Sequence, residues 1–156
     1  MKKVANFLFI LFILFNTSAH AKIDAKYLSI KNITVNVRMG PSKTSPIKWI
    51  YKIKNFPVEV IDKYYNWRKI KDFENDNGWV HISQLSRKRS VIFIKNEVLV
   101  FKKPTIYSKP IHKIEKLNVA LIEKCNQVWC KITNTDFKGW VKKTALWGIN
   151  SGEIIN

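Results

Sequence analysis

The strongest constraint on this chain is that it repeats itself. Residues 57–85 align with residues 118–146: Val58, Val60, Ile61 and Lys63 match Val119, Leu121, Ile122 and Lys124. After a one-residue gap, Trp67 and Ile70 match Trp129 and Ile132, and Gly78-Trp79-Val80 matches Gly139-Trp140-Val141. Leu85 and Leu146 follow at the same distance, and upstream Pro41 and Pro104 each open a turn-rich stretch. Aromatic and glycine positions that recur over two such units mark a tandem repeat. In a chain of 156 residues this leaves room for two very small domains and excludes a large multidomain enzyme.

Within each unit the hydrophobic period is two, which is the period of strands. Ile47, Trp49, Tyr51 and Ile53 alternate with Lys48, Ile50, Lys52 and Lys54, giving one apolar and one mostly basic face. Residues 91–94 and 98–101 flank Lys95-Asn96-Glu97 and are predicted to pair as a hairpin. Turn chemistry interrupts the runs at Gly40-Pro41-Ser42, at residues 74–78 and at residues 134–139. No stretch beyond the N-terminal segment keeps a 3.6-residue period, so the predicted class is all-β: a small barrel or curled sheet per copy. With 46% apolar and 13% aromatic residues there is material for a packed core, and disorder is excluded.

The first residues read as a targeting segment. Lys2 and Lys3 precede an apolar run to Phe15, followed by Ala19-His20-Ala21, a small-x-small cleavage pattern. The run is shorter than the ~20 apolar residues of a spanning helix. A signal peptide over residues 1–21, cleaved after Ala21, is therefore expected, with a periplasmic or secreted product. The net charge of +17 has two readings. Lys outnumbers Arg 24 to 4, beside 21 Ile and 14 Asn, a bias that AT-rich coding produces with no partner behind it. The functional reading is attraction to phosphate, carboxylate or an anionic membrane face. Export makes nucleic acid an unsuitable partner.

Val35-Asn36-Val37-Arg38-Met39-Gly40-Pro41-Ser42 resembles the "NVRSGPS" opening of bacterial SH3-like domains. Asn66-Trp67-Arg68-Lys69-Ile70 is similar to their central strand, and Gly78-Trp79-Val80-His81 with Leu85 to their closing "GWVH…L". In the second copy Phe101-Lys102-Lys103-Pro104 stands where Arg-x-Gly-Pro is usual, while the stretch from Trp129-Cys130 to Leu146-Trp147-Gly148 matches the second unit of exported tandem SH3-like proteins of Gram-negative bacteria. The resemblance implies two tandem small barrels of roughly five to seven strands each. It also implies an association with envelope peptides or peptidoglycan. The organisation expected is a signal peptide (1–21), a first domain (22–87), a linker (88–90), a second domain (91–150) and a C-terminal tail (151–156).

Trp67, Trp79, Trp129 and Trp140, with Gly78 and Gly139, recur in both copies and are assigned to the core, because a ~60-residue barrel needs large buried rings. The alternative for the tryptophans is a stacking surface for sugars. Trp49, Tyr51, Tyr64 and Tyr65 occur only in the first copy, near Arg38. SH3-like barrels carry a shallow peptide groove lined by aromatics, so the resemblance makes these five residues the candidate ligand site. Against this, the rings also suit ordinary half-buried strand positions, and Arg38 also suits hydrogen bonding to turn carbonyls around Gly40.

Cys125 and Cys130 are the only cysteines, and in an exported chain an even pair reads as a disulfide. The rival readings are a metal site and a nucleophile. The zinc reading lacks a second ligand pair, since His81 and His112 offer no partner spacing. No metal or cofactor is implied. A cysteine peptidase needs an unpaired thiolate. A glycosidase needs two carboxylates facing one cleft, whereas Asp72, Glu74 and Asp76 read as a solvated turn. The expected function is non-catalytic binding of peptidoglycan stem or other envelope peptides. Alternatives are a basic protein on an anionic membrane or lipopolysaccharide surface, and an adaptor for a periplasmic partner.

Overall fold

A computed structural model describes residues 26–156, so the expected targeting segment lies outside the described residues. The first copy forms β1 (Lys26–Ile30), β2 (Val35–Arg38), β3 (Ile47–Tyr51), β4 (Pro57–Tyr64), β5 (Trp67–Lys71), β6 (Asn77–His81) and β7 (Leu85–Ser86). The second forms β8 (Ser90–Phe93), β9 (Val98–Phe101), β10 (Pro110–Ile114), β11 (Val119–Cys125), β12 (Trp129–Thr133), β13 (Lys138–Lys142) and β14 (Leu146–Trp147). A single 3-10 turn, Ile82–Gln84 or Lys143–Ala145, precedes the last strand of each. The sheet orders are β3-β2-β6-β5-β4-β1-β7 and β10-β9-β13-β12-β11-β8-β14, one topology used twice. The bulges also recur, between Val60 and Asp62 and between Ile122 and Lys124. The all-β class and the two small barrels are as the repeat predicts.

Alternation along each strand decides which side chains fill the barrel. Val35 and Val37 of β2, Ile70 of β5 and Val80 of β6 point inward and are fully or almost fully buried with Ile30, Val58 and Leu85. Val91, Phe93, Val100, Ile132 and Val141 do the same in the second barrel. Gly78 and Gly139 are inward too. A Cβ at Gly78 would lie 2.4 Å from Val37 Cγ1, and one at Gly139 would lie 2.5 Å from Val100 Cγ1. Glycine is what lets β6 and β13 approach β2 and β9.

That placement corrects the core assignment of Trp67, Trp79 and Trp140. Because Gly78 and Val80 face inward, Trp79 between them faces out, and β13 repeats the pattern with Trp140. Trp67, Trp79 and Trp140 are half-buried; Trp129 is buried, yet none of the four belongs to either core cluster. The cores are mainly aliphatic, with Tyr51 and Phe56 in the first and Phe93, Phe137 and the cysteine pair in the second. The predicted hairpin of residues 91–94 with 98–101 is also corrected. β8 pairs with β11 and β14, and β9 pairs with β10 and β13. Every residue of β8 is buried, as a strand covered on both faces requires.

The second face of β8 is covered by the first barrel. Val91 and Phe93 enter the second core, while Ile92 between them is 1% exposed and packs in the first core, with Val119 and Trp147 alongside. Tyr27 meets Trp147 edge-on at 5.2 Å, and the Arg89 guanidinium lies over Tyr27 at 5.7 Å. Arg89 also pairs with Glu153 and donates to the Gly148 carbonyl at 3.0 Å. Gly148 has φ +110° and a Cβ there would lie 2.7 Å from the Ser90 carbonyl oxygen, so only glycine fits. Residues 88–90 thus join the barrels without separating them. The C-terminal tail is pinned as well: Cys125 and Ile155 exchange backbone hydrogen bonds of 2.7 and 3.0 Å.

Cys125 and Cys130 form a disulfide between directly opposed residues of β11 and β12, with Cα atoms 4.1 Å apart. Both cysteines are buried within the second core.

Candidate functional site

The five residues expected to form one ligand site lie in three places. Tyr51 ends β3 with its ring in the first core, 8% exposed, and its hydroxyl donates to Asp72 Oδ2 at 3.1 Å. Burial and the neighbouring Asp72 carboxylate push its phenol far above the ordinary tyrosine range. Tyr51 is therefore a structural residue; the buried ring cannot grip a ligand. Trp49 packs edge-on against Tyr51 at 5.9 Å, and both line the seam between the barrels. Tyr64 and Tyr65 stand at the β4–β5 turn, 53% and 83% exposed, with ring centroids 4.8 Å apart. Arg38 lies on the outward side of β2, beside Trp67.

Arg38 and Trp67 help build a cleft of about 420 Å³ on the outer face of the first barrel. Its floor comes from alternation: with Val35 and Val37 buried, Asn36 and Arg38 must face outward, and Trp67 of β5 and His81 of β6 are cross-strand partners beside them. His81 packs edge-on against Trp67 at 5.4 Å and caps the 3-10 turn, with its Nδ1 accepting from the Ser83 N–H at 3.3 Å. Ser83 and Gln84 close one side, and Lys43 leans in from the β2–β3 loop. Two cations and no carboxylate line the cleft. Arg38 Nη1 donates to the Ser45 carbonyl at 2.7 Å, which fixes the loop as well as the guanidinium. Turn bonding and a place in the cleft are thus compatible for this residue, whose fork has five N–H donors.

The second barrel shows what the same site looks like when filled. Phe101 holds the position of Arg38, since each pairs with the outward tryptophan of the crossing strand. Lys142 holds the position of His81. Phe101 packs edge-on against Trp129 at 5.6 Å, and Lys142 lies over the same ring at 5.7 Å. Trp129 is left 7% exposed, whereas Trp67 remains half-buried. In the first barrel Arg38 stands where Phe101 packs on Trp129 in the second.

Lys43, Asn36, His81 and Ser83 were not among the residues expected from sequence, and Trp67 was assigned to the core. The signal was present in the repeat: positions 38 and 81 differ from 101 and 142, while the neighbouring inward residues Val35, Val37 and Val80 match Val98, Val100 and Val141.

A family model described as "Bacterial SH3 domain" matches residues 31–87 and again residues 94–148. No curated protein matches the chain. Among solved structures the chain is similar to NlpC2 from Trichomonas vaginalis, with TM-score 0.36 and 11% identity over 79% of this chain and 48% of that one. It is similar to NlpC1 from the same organism, with TM-score 0.35 and 11% identity over 78% of this chain and 45% of that one. The chain thus spans about half the length of the solved proteins it matches. With nearly all of both barrels matched, the chain belongs to the bacterial SH3 domain family and carries the domain twice.

Proposed function

We propose that this is an exported, non-catalytic envelope protein whose first barrel binds a peptide bearing free carboxylates, with peptidoglycan stem peptides as the ligand class. The observation that carries the reading is the Arg38-for-Phe101 difference, which places a cation in the cleft where the second barrel packs a ring on its tryptophan. An arginine fork takes a carboxylate through two parallel hydrogen bonds. Lys43 adds a second positive charge, the Trp67 ring supplies an apolar wall, and Asn36 and Ser83 offer polar groups to orient a peptide backbone. Tyr64 and Tyr65, on the turn leading into Trp67, extend the aromatic surface. The reading as a binding protein is supported by the strands of two barrels taking up most of the described residues and by both thiols being bridged.

The test is sedimentation of the mature protein with purified peptidoglycan sacculi at low and high salt. Arg38→Phe installs the residue that the second barrel already packs on its own tryptophan, so the fold is expected to survive. Loss of a charged hydrogen-bond donor is expected to weaken binding by about tenfold or more. Equal pelleting of Arg38→Phe and wild type refutes the groove. Complete loss of binding for both proteins at moderate salt assigns it to diffuse lysine charge instead.

A further inference from the structure

The β2–β3 loop and the β9–β10 loop have the same backbone, and only one has an apolar tip. In the first, Met39 N–H donates to the Pro46 carbonyl at 3.0 Å, Ser42 to Gly40 at 2.9 Å and Ser45 to Ser42 at 3.2 Å. In the second, Lys102 donates to Lys109 at 3.1 Å, Thr105 to Lys103 at 2.8 Å and Ser108 to Thr105 at 3.2 Å. A side-chain oxygen closes each tip, with Thr44 N–H donating to Ser42 Oγ at 3.2 Å and Tyr107 N–H to Thr105 Oγ1 at 3.4 Å. The loops superpose position by position, so Lys43 and Thr44 correspond to Ile106 and Tyr107. Nothing in the fold requires apolar residues there, because the first loop forms without them. Yet Ile106 is 55% exposed and Tyr107 93% exposed, the most exposed large hydrophobic side chain among the described residues.

Lys102, Lys103 and Lys109 flank the two side chains, all exposed, and there is no acidic residue from 98 to 114. We propose that this tip is a membrane contact: Ile106 and Tyr107 enter the interfacial region of an anionic lipid surface while the three lysines meet its headgroups. The chemistry fits such a surface on two counts. Tyrosine suits the boundary where an apolar ring ends in a polar group, and lysine carries its charge on a long apolar stem. A protein partner would need a broader apolar footprint than two adjacent side chains ringed by cations. The loop is held by its own hydrogen bonds, so little ordering is lost on docking. This site is separate from the peptide cleft and does not depend on it.

The experiment is co-sedimentation of the mature protein with vesicles of phosphatidylcholine, alone or containing about one third phosphatidylglycerol. Wild type is expected to bind the anionic vesicles and not the neutral ones. The double variant Ile106→Lys/Tyr107→Thr carries the first loop's residues onto the same backbone and raises the net charge by one. It is expected to bind about tenfold more weakly despite the added charge, with an unchanged thermal midpoint. Tyr107→Ala alone is expected to lose part of that affinity, and Lys102→Gln/Lys103→Gln about fivefold per lysine. Sacculus binding of the tip variants should match wild type, and Arg38→Phe should still bind vesicles, which separates this inference from the peptide reading. Binding of the double variant equal to or tighter than wild type overturns the proposal, because charge alone then accounts for it. Absence of wild-type binding to anionic vesicles, or tip-dependent capture of an envelope protein with no vesicle binding, also overturns it.

Discussion

Ile92 offers the sharpest test of how the two barrels are coupled. It belongs to β8 of the second barrel, but its side chain is 1% exposed in the core of the first. Ile92→Ala removes three carbons, worth roughly 2.5 kcal/mol in transfer at ~0.8 kcal/mol per buried methylene. The vacated space adds a cavity term, bringing the expected loss to about 3–4 kcal/mol, within the range for such truncations. Total stabilities of small proteins are only ~5–15 kcal/mol, so this is a large fraction. The thermal midpoint should fall by about 10 °C for a chain of this size. Because the residue is covalently part of one barrel and packed in the other, both should be lost together. Urea unfolding followed by tryptophan fluorescence and by circular dichroism should then give one coincident transition in wild type and variant alike. Leu99→Ala, at a position 44% exposed, should shift stability by no more than ~0.5 kcal/mol. Two resolved wild-type transitions, with Ile92→Ala moving only one, would refute the shared core.

Two further outcomes follow from the tail and the disulfide. Labelling with a thiol reagent under denaturing, non-reducing conditions should add nothing, and reduction should lower stability by about 2 kcal/mol, since the loop closed between Cys125 and Cys130 is short; two labels per chain would contradict the bridge. Burial works against the Glu153 carboxylate, but Arg89, the Asn150 N–H and Lys143 outweigh it and hold its pKa below the usual glutamate value. A depressed carboxylate stabilises the fold above its unfolded pKa of about 4.3 and ceases to do so as pH falls through the lower folded value. Thermal melts of wild type and Glu153→Gln should therefore differ at pH 7 and converge only once pH has fallen through the depressed folded value; a gap that persists in strong acid would show that packing, not charge, holds the tail.

The repeat, the strand period and the cysteine pair were enough to foresee two small β-barrels and a disulfide. Orientation was harder to read. Alternation separates two faces of a strand without saying which is inside, and large aromatic residues that recur look like core. Here the smaller neighbours decide. Gly78 and Gly139 sit where crossing strands leave no room for a Cβ, which puts Trp79 and Trp140 on the opposite face. Tyr51 escaped for a related reason: its hydroxyl finds Asp72 inside the barrel end, and nothing local to Tyr51 announces a partner 21 residues away. Ile92 could not be placed from sequence at all, because its neighbours come from the other copy. Arg38 was legible as a candidate, but its companions Lys43 and His81 come from other strands and loops and emerge only in three dimensions.

A duplicated barrel also separates what the fold needs from what it does not. The inward valines of β2 and β9, the crossing glycines, the bulge between β4 and β5 and the loop hydrogen bonds recur between copies. Arg38 against Phe101, His81 against Lys142, and Lys43-Thr44 against Ile106-Tyr107 differ on one common backbone. Folding cannot account for those differences, since each alternative is accommodated in one copy or the other. The first barrel presents Arg38 in an open cleft, and the second presents a ring packed on Trp129 and an apolar loop tip. Since Ile92 and Arg89 lock the barrels together, the cleft and the tip are carried on a single body. On the two proposals made above, a peptide in the one and a lipid surface at the other would be held at a fixed spacing, and engaging either would raise the effective concentration of the second site for its own partner.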